Sequence, residues 1–201
     1  MNTAVLIPVK RFADAKGRLR SLLANDQRAE LARWLADRVV RAAAPLPVFV
    51  ACDDEVVAGW AEDAGASVLW SPGLGLNGAV DAGRAMIAGK GFDHLVVIHS
   101  DVPLAHDLAV LAAEHTTTLV PDRRRDGTNV LAFPVDAAIV ASYGAASFRT
   151  HLSMALADRY RVEVRADPEL ALDIDSPLDL AHPSLRTELP AWLRTILDSR
   201  R

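Results

Sequence analysis

The sequence is poor in cysteine, in aromatic residues and in long apolar runs. Its 201 residues include one cysteine, Cys52, so no disulfide can form within the chain, and we expect a reducing, cytoplasmic location. Apolar stretches stay short and are interrupted by charged residues or proline, so no transmembrane helix is predicted. The formal net charge of -4 gives no basic signature of nucleic-acid binding. We therefore predict that neither a membrane nor a nucleic acid is a partner.

Two common nucleotide-binding motifs are also missing. The basic loop after the first apolar run lacks the glycine pair and the Lys-Ser or Lys-Thr step of a P-loop. Residues 71–80 contain Gly73-x-Gly75 without the full dinucleotide fingerprint, so a hydride-transfer cofactor is not indicated. The six histidines are scattered and show no zinc-ligand spacing. Any nucleotide or metal site in this chain therefore has to be built on other motifs.

What the sequence does contain is an alternation of short apolar runs and helical patterns. Strands are predicted over residues 3–9, 48–52, 67–70, 95–98, 116–120, 130–133 and 161–164. Helices are predicted after an N-cap at Asp26 up to residue 44, and over residues 54–64, 77–88, 147–157 and 189–197. The alternation predicts one α/β domain over residues 1–201, a three-layer α/β/α, Rossmann-like sandwich with a mostly parallel mixed sheet.

Three unusual loops follow the predicted strands that end at Val9, Trp70 and Ile98. The first loop is basic, the second is rich in glycine and the third is acidic. In open parallel sheets, ligands bind beyond the carboxyl ends of the strands. We therefore expect one ligand site where these three loops meet.

Acidic residues follow apolar runs at two places, Asp101 in one and Asp173 and Asp175 in the other. Three carboxylates brought together would repel one another, and hard oxygen ligands on Mg2+ would make the arrangement stable. Taken alone, Asp101 is more typical of a turn or a helix cap than of a metal ligand. The stretch after Asp173 also reads as a helix start, with Ser176 as the cap and Pro177 at the first helical position. The joint presence of both segments favours a metal site.

Cations and glycines supply the other side of this expected site. Lys10, Lys16 and Arg18 on the basic loop suit the phosphates of a nucleotide, although a solvated surface loop has the same composition. In the glycine loop, the Asn77 amide could read a purine edge or cap the following helix, and capping is the commoner role.

Two turns of small residues, at 127–129 and 143–148, are predicted further along the chain. Backbone N–H groups and the Ser147 hydroxyl at a helix start would form an anion site, and an ordinary helix cap is the alternative. His151 lies four residues after Ser147 on the same helical face, where it could contact the anion or pack.

Over residues 7–180, the chain resembles the CofC/FbiD family of guanylyltransferases of coenzyme F420 biosynthesis. The motifs that carry the resemblance are Ile-Pro-Val-Lys at 7–10 with Ala-Lys-Gly-Arg-Leu at 15–19, Gly-Leu-Asn-Gly-Ala-Val at 75–80, Ser-Asp-Val-Pro-Leu at 100–104, Gly-Thr-Asn-Val-Leu at 127–131 with Gly144, Ser147, Phe148 and His151, and Asp-Ile-Asp-Ser-Pro at 173–177. The sequence departs from the family's pattern at Gly17, where a hydroxyl residue is frequent, and at Ala146, where glycine is frequent.

The resemblance implies a nucleotidyltransferase fold similar to GT-A enzymes, and transfer of GMP from GTP, with Mg2+, to the phosphate of a three-carbon acid. The acid would be phosphoenolpyruvate, 2-phospho-L-lactate or 3-phosphoglycerate, and pyrophosphate would leave. It also implies roles for individual residues: metal binding by Asp101, Asp173 and Asp175, catalysis by Lys16, Arg18 and Asp101, nucleotide binding by Lys10, Gly73, Asn77 and Gly78, and acid binding by Thr128, Gly144 and Ser147.

Two other functions remain open from the sequence. A related nucleotidyltransferase could use another acceptor, such as a molybdopterin-type cofactor or a sugar phosphate. A nucleotide-binding protein without catalysis is the other alternative. A homodimer is compatible with the sequence.

Overall fold

The computed structural model describes residues 1–199, which form seven strands and six α-helices. The strands are β1 (Thr3–Pro8), β2 (Val48–Cys52), β3 (Ser67–Trp70), β4 (His94–Ile98), β5 (Thr116–Pro121), β6 (Thr128–Pro134) and β7 (Arg161–Val164). The helices are α1 (Asn25–Ala42), α2 (Glu55–Asp63), α3 (Gly75–Gly89), α4 (Ser147–Ala157), α5 (Pro177–Leu180) and α6 (Ala191–Asp198). Within this part of the chain, no helix is both long and apolar enough to cross a membrane.

The strands form one mixed sheet in the order β3-β2-β1-β4-β6-β5-β7. The pairs of β1, β2, β3 and β4 are parallel, as is the pair of β5 with β7. Strand β6 is antiparallel to both of its neighbours, β4 and β5. Its beginning therefore lies at the same edge of the sheet as the carboxyl end of β4.

Helices cover both faces of the sheet, as the alternation of elements predicts. Inward residues of α1 and α2 join one core cluster, together with one alternate set of strand residues such as Val5 and Ile7. The opposite set, such as Leu6, packs with α3 and α4 in a second cluster. Burial on both faces explains why the central strands read as continuous apolar runs. The predicted three-layer α/β/α sandwich is confirmed.

A third apolar cluster lies under the acidic segment near the end of the chain. Leu19 and Leu23 from the basic loop meet Leu31 and Leu35 of α1 there. Ile174, between the two predicted metal ligands, is fully buried in the same cluster. The cluster thus joins the basic loop and the acidic segment through their apolar residues.

The structure corrects three local predictions. Helix α1 begins at Asn25, so its N-cap is Ala24 and not Asp26, and the Ala24 N–H donates to the Gln27 side chain at 2.9 Å. The basic loop contains two 3-10 turns, Phe12–Asp14 and Gly17–Leu19. Strand β6 begins earlier than predicted, so Thr128 and Asn129 belong to a strand rather than to a turn. Pairing of Thr128 with Pro121 of β5, and the bond from the His99 N–H to the Asn129 carbonyl, override the turn propensity of these small polar residues.

Candidate active site

Lys16 lies at the centre of the site. Its Nζ is 2.7 Å from Asp101 Oδ2, 2.6 Å from the Ile174 carbonyl oxygen and 3.6 Å from Asp175 Oδ1. The side chain is 8% exposed. Burial by itself lowers the pKa of Lys16, but the neighbouring carboxylates, Asp101 foremost, outweigh it and raise that pKa. Lys16 is therefore a charged, buried ammonium that joins the two acidic segments.

The backbone of Lys16 has a left-handed conformation, with φ of 56°. Such a conformation costs a residue with a Cβ roughly 1–2 kcal/mol. Lys16 is the N-cap of the second 3-10 turn of the basic loop, Gly17–Leu19. Strained backbone of this kind is concentrated at functional sites.

The two acidic segments are joined by the backbone as well. The Ile174 N–H donates to the Asp101 carbonyl at 3.1 Å. Because Ile174 is anchored in the third apolar cluster, Asp173 and Asp175 on either side of it are held next to Asp101. Arg18 reaches the same group, with its guanidinium 3.4 Å from Asp175 Oδ2. The structure thus brings together Lys16, Arg18 and the acidic residues that the sequence predicts.

The charges of this group are not balanced equally. Burial is the largest single influence on the pKa of Asp101 and raises it, but the charges of Lys16 and His99 and the hydrogen bonds of the carboxylate together lower that pKa. For Asp173, burial comes first, the charges of Asp101 and Asp175 add to it, and the pKa rises to about 6. A further cation next to Asp173 would relieve this repulsion. All three side chains offer hard oxygen ligands, as Mg2+ requires.

The structure nevertheless does not hold a preformed metal cage. Over residues 1–199, no group of three or more His, Cys, Asp or Glu side chains is arranged to hold a metal ion. The Lys16 ammonium stands next to Asp101 and Asp175, where the sequence predicts a metal. The metal role of the three aspartates therefore stays a prediction.

Ser176 and Asp179 hold the end of the acidic segment through hydrogen bonds at the start of α5. Helix α5 begins at Pro177 with Ser176 as its N-cap, as predicted. Asp179 is buried and accepts hydrogen bonds from the Ser176 N–H and hydroxyl at 2.7 and 2.8 Å. It also forms an ion pair with Arg123. Asp179 thus has a structural role at the start of α5.

A cleft of about 640 Å³ opens at this edge of the sheet. Four of the predicted residues line it, namely Lys10, Lys16, Asp101 and Asp175. Ser71 and Gly75 of the glycine loop line it too, with Leu76 and Ala79 from the beginning of α3. Arg18 lines a neighbouring groove that shares Lys16 and Asp175 with the cleft. The cleft thus offers cations for the phosphates of a nucleoside triphosphate, together with carboxylates and backbone groups.

Asn77 does not cap a helix. Helix α3 begins two residues earlier, at Gly75, so the capping alternative is wrong. The side-chain amide of Asn77 binds the backbone of Tyr143 instead. The Tyr143 N–H donates to Asn77 Oδ1 at 2.7 Å, and Asn77 Nδ2 donates to the Tyr143 carbonyl at 3.2 Å. Its role toward a guanine base, like those of Gly73 and Gly78, stays a prediction.

The predicted acid-binding residues Thr128 and Ser147 contact each other. The Thr128 N–H donates to Ser147 Oγ at 3.0 Å, and His151 Nδ1 is 3.0 Å from Thr128 Oγ1. His151 Nε2 accepts from the Ser142 N–H, so in the neutral ring Nδ1 carries the hydrogen and donates to Thr128. Both hydroxyl oxygens are thus acceptors in these bonds, which leaves each hydroxyl a hydrogen to donate.

The turn before α4 is partly closed by the chain itself. Gly144 is exposed, whereas Thr128 and Ser147 are buried. The Ala146 N–H donates to the Asp126 carboxylate at 3.2 Å, and the Ser147 N–H donates to the Gly144 carbonyl. A carboxylate of the protein therefore occupies one N–H group that the sequence predicts for an anion. Ala146, in place of a frequent glycine, has φ of 57° there.

Three residues that sequence reasoning left unassigned connect the cleft with this turn. The Tyr143 ring lies edge-on between His99 and His151, with centroid distances of 4.9 and 4.8 Å. His99 lines the cleft. Asn129 is buried and donates to the Leu170 carbonyl at 3.0 Å, which holds the chain before Asp173. The antiparallel direction of β6, which composition does not reveal, places Asn129 there.

His151 makes the stability of the fold depend on pH. Burial, with a smaller effect of His99, lowers the pKa of His151 to about 4. In the unfolded chain this histidine titrates near 6.5, so between pH 6.5 and 4 the unfolded state binds the extra proton. Its stabilising contribution is complete above pH 6.5 and is lost as the pH falls toward 4, by about 3 kcal/mol.

Chemical denaturation between pH 4 and 7 measures this effect by comparison of the wild-type protein with His151→Gln. We expect a steeper loss of the free energy of unfolding in the wild type. Parallel curves would show that His151 does not titrate as its surroundings indicate.

The fold is that of nucleotidyltransferases. A crystal structure from Desulfovibrio desulfuricans, described as that of a nucleotide-diphospho-sugar transferase, superposes with a TM-score of 0.76 at 16% identity, over 99% of this chain and 95% of that one. A cytidylyltransferase from Leptospira borgpetersenii superposes with a TM-score of 0.60 at 14% identity, over 100% and 95% of the two chains. At these identities the comparison defines the fold and not the reaction.

The sequence assigns the chain more narrowly. The family described as "Guanylyl transferase CofC like" matches residues 3–188, and the chain belongs to this family. Phosphoenolpyruvate guanylyltransferase of Rubrobacter xylanophilus is 37% identical over 190 residues, which cover 90% of this chain and 93% of that protein. The enzyme of the same name from Sphaerobacter thermophilus is 35% identical, over 90% and 91% of the two chains.

Proposed function

We propose that the protein transfers GMP from GTP to the phosphate of phosphoenolpyruvate, in coenzyme F420 biosynthesis, and requires Mg2+. The observation that carries the proposal is the group of Lys16, Arg18, Asp101 and Asp175 at the cleft, in a chain of the guanylyltransferase family. The names of the relatives support phosphoenolpyruvate over 2-phospho-L-lactate and 3-phosphoglycerate. The cytoplasmic location and the homodimer stay predictions.

In this reaction a phosphate oxygen of the acid attacks the α-phosphorus of GTP. A new P–O bond forms there, the bond from the α-phosphorus to the oxygen that bridges to the β-phosphorus breaks, and pyrophosphate leaves with that oxygen. Catalysis of such a transfer rests on positioning and charge stabilisation. Lys16 is suited to this task because it is buried, charged and held on three sides. Arg18 and Lys10 add charge from the same loop.

Asp101, Asp173 and Asp175 would hold Mg2+ beside the phosphates. When bound, the ion would neutralise charge on the phosphate oxygens and orient them. The raised pKa of Asp173 supports this assignment, since burial first and then the charges of Asp101 and Asp175 disfavour its ionised form, and a bound cation would offset both effects. Lys16 would then share the carboxylates with the ion.

The acid would bind near Thr128, Gly144 and Ser147. Support comes from the two hydroxyls, each of which accepts one hydrogen bond and keeps a hydrogen for an anion. Because both residues are buried, the acid would reach them only after the turn at Gly144 opens or rearranges.

Release of pyrophosphate from GTP tests the proposal. Phosphoenolpyruvate, 2-phospho-L-lactate and 3-phosphoglycerate are offered in parallel, each with Mg2+ and with a chelator. We expect turnover with phosphoenolpyruvate that stops when the metal is removed. Turnover with another acid alone would show that this acid is the acceptor. Turnover in the presence of chelator would contradict the role of Mg2+. No pyrophosphate release with any of the three acids would reject the proposed reaction.

A further inference from the structure

Helix α3 holds the chain that leads into the turn before α4. Three polar residues at helical spacing, Asn77, Asp81 and Arg84, face this segment, residues 135–143. Asp81 Oδ1 accepts from the Ala141 N–H at 3.0 Å. The Arg84 guanidinium donates to the carbonyl oxygens of three residues of the segment, Val135, Ala137 and Ile139. Every bond goes from a side chain of the helix to the backbone of the segment.

Asn77 is the member of this stripe closest to the site. It uses one N–H and one lone pair of its side-chain amide on one residue, Tyr143, as a neighbouring strand would. These two bonds fix the plane of the amide and direct it to the Tyr143 backbone, so only one N–H and one lone pair remain for another partner. The residue after Tyr143 is Gly144, with φ of 134°, a conformation that only glycine adopts readily. The position of Tyr143 therefore sets where this turn begins.

The same residue also reaches the two hydroxyls. The Tyr143 ring packs on His151, and His151 donates to Thr128 Oγ1. The N–H of the preceding residue, Ser142, donates to His151 Nε2 and fixes the tautomer that makes this bond. Asn77 thus holds one end of a chain of contacts that ends at Thr128.

We propose that Asn77 is a positioning residue for the acid substrate, although it lies on the helix that begins in the nucleotide-side loop. The inference rests on the proposed function. It separates Asn77 from the base-reading role that its place in the loop predicts. The α3 helix would then connect the two substrate sites, since Gly75 and Leu76 at its start line the nucleotide cleft.

Steady-state kinetics of Asn77→Ala, with GTP and phosphoenolpyruvate varied in turn, tests the inference. We expect the KM for the acid to rise about 10-fold or more, because small misplacements of a binding turn have large effects. The KM for GTP should stay within about twofold and the preference for GTP over ATP should be kept. Weaker guanine binding, measured as a raised KM for GTP or as loss of the preference for GTP over ATP, would overturn the inference.

Asp81→Ala is the matched control. It removes a bond of the same kind, from the same face of the helix to the same segment, two residues before Tyr143. We expect its KM for the acid to change by less than about threefold. An equal rise in both variants would show general loosening of the segment, which contradicts a specific role of Asn77.

Asn77→Asp covers the case in which the alanine variant does not fold. It keeps an acceptor for the Tyr143 N–H but places a carboxylate oxygen against the Tyr143 carbonyl, so we expect the KM for the acid to rise in this variant too. If the alanine variant does not fold, an unchanged KM for the acid in Asn77→Asp would overturn the inference.

Calorimetry with phosphoenolpyruvate separates the two proposals. If the wild-type protein binds the acid without turnover, the proposed reaction fails, and the affinities of the same variants decide the inference. If it binds no acid at all, both fail.

Discussion

Replacement of Asp101 by asparagine is expected to abolish turnover while the fold remains. Asp101 is the carboxylate closest to the Lys16 ammonium, at 2.7 Å, and its carbonyl is bonded to the acidic segment. The asparagine keeps the shape but removes the charge that would bind Mg2+ and hold Lys16. We expect the rate of pyrophosphate release to fall about 1,000-fold, as when preorganised charge is removed from other active sites.

Asp107→Asn provides the control for this prediction. It makes the same change of charge in the same connection after β4, at an exposed side chain. The backbone of Asp107 is left-handed, with φ of 39°, which asparagine tolerates. We expect activity of the wild-type level. If Asp101→Asn retains more than a tenth of the turnover, the proposed role of Asp101 is wrong.

Replacement of Lys16 by alanine is expected to affect both activity and stability. Two carboxylates and a carbonyl would lose the ammonium that they share, which belongs to a side chain that is only 8% exposed. Removal of one partner of a buried ion pair destabilises a protein by about 3 kcal/mol. We expect turnover to fall by about 1,000-fold, since Lys16 is also the best-placed cation for the phosphates.

Mg2+ gives this variant a specific signature. Without the ammonium, the three carboxylates repel one another, and the ion can take its place. Thermal unfolding should therefore show a larger rise of Tm with Mg2+ in Lys16→Ala than in the wild type. Lys90→Ala, which removes an exposed lysine after α3, should match the wild type in every measurement. Equal responses of Lys16→Ala and wild type to Mg2+ would argue against metal binding by these carboxylates.

Much of the fold can be predicted because the strands are buried on both faces. Predicted and observed bounds of β2, β3 and β7 coincide, and those of the other strands differ by one or two residues. The direction of β6 could not be predicted, since an antiparallel strand in a mixed sheet has no distinct composition. That direction places Thr128 and Asn129 at the edge where β4 delivers Asp101.

For the site, as for the fold, the sequence predicts which residues take part but not how they are arranged. Its charged residues could be predicted, because cations and carboxylates follow the strands in recognisable loops. Their contacts could not. The bond from Lys16 to the Ile174 carbonyl depends on a left-handed backbone at Lys16, and the bonds of Asn77 depend on a segment 66 residues away. Neither propensity nor periodicity describes such contacts.

The site also has a consequence for the timing of synthesis. Lys16 binds a side chain 85 positions later and a carbonyl 158 positions later, so both partners leave the ribosome long after Lys16 itself. Until then, the basic loop on a growing chain has no acidic segment against which to settle, and Leu19 has no Leu172 or Ile174 to cover it. Nucleotide chemistry therefore begins only when translation has passed the acidic segment, and a nascent chain of the first 150 residues is expected to be inert.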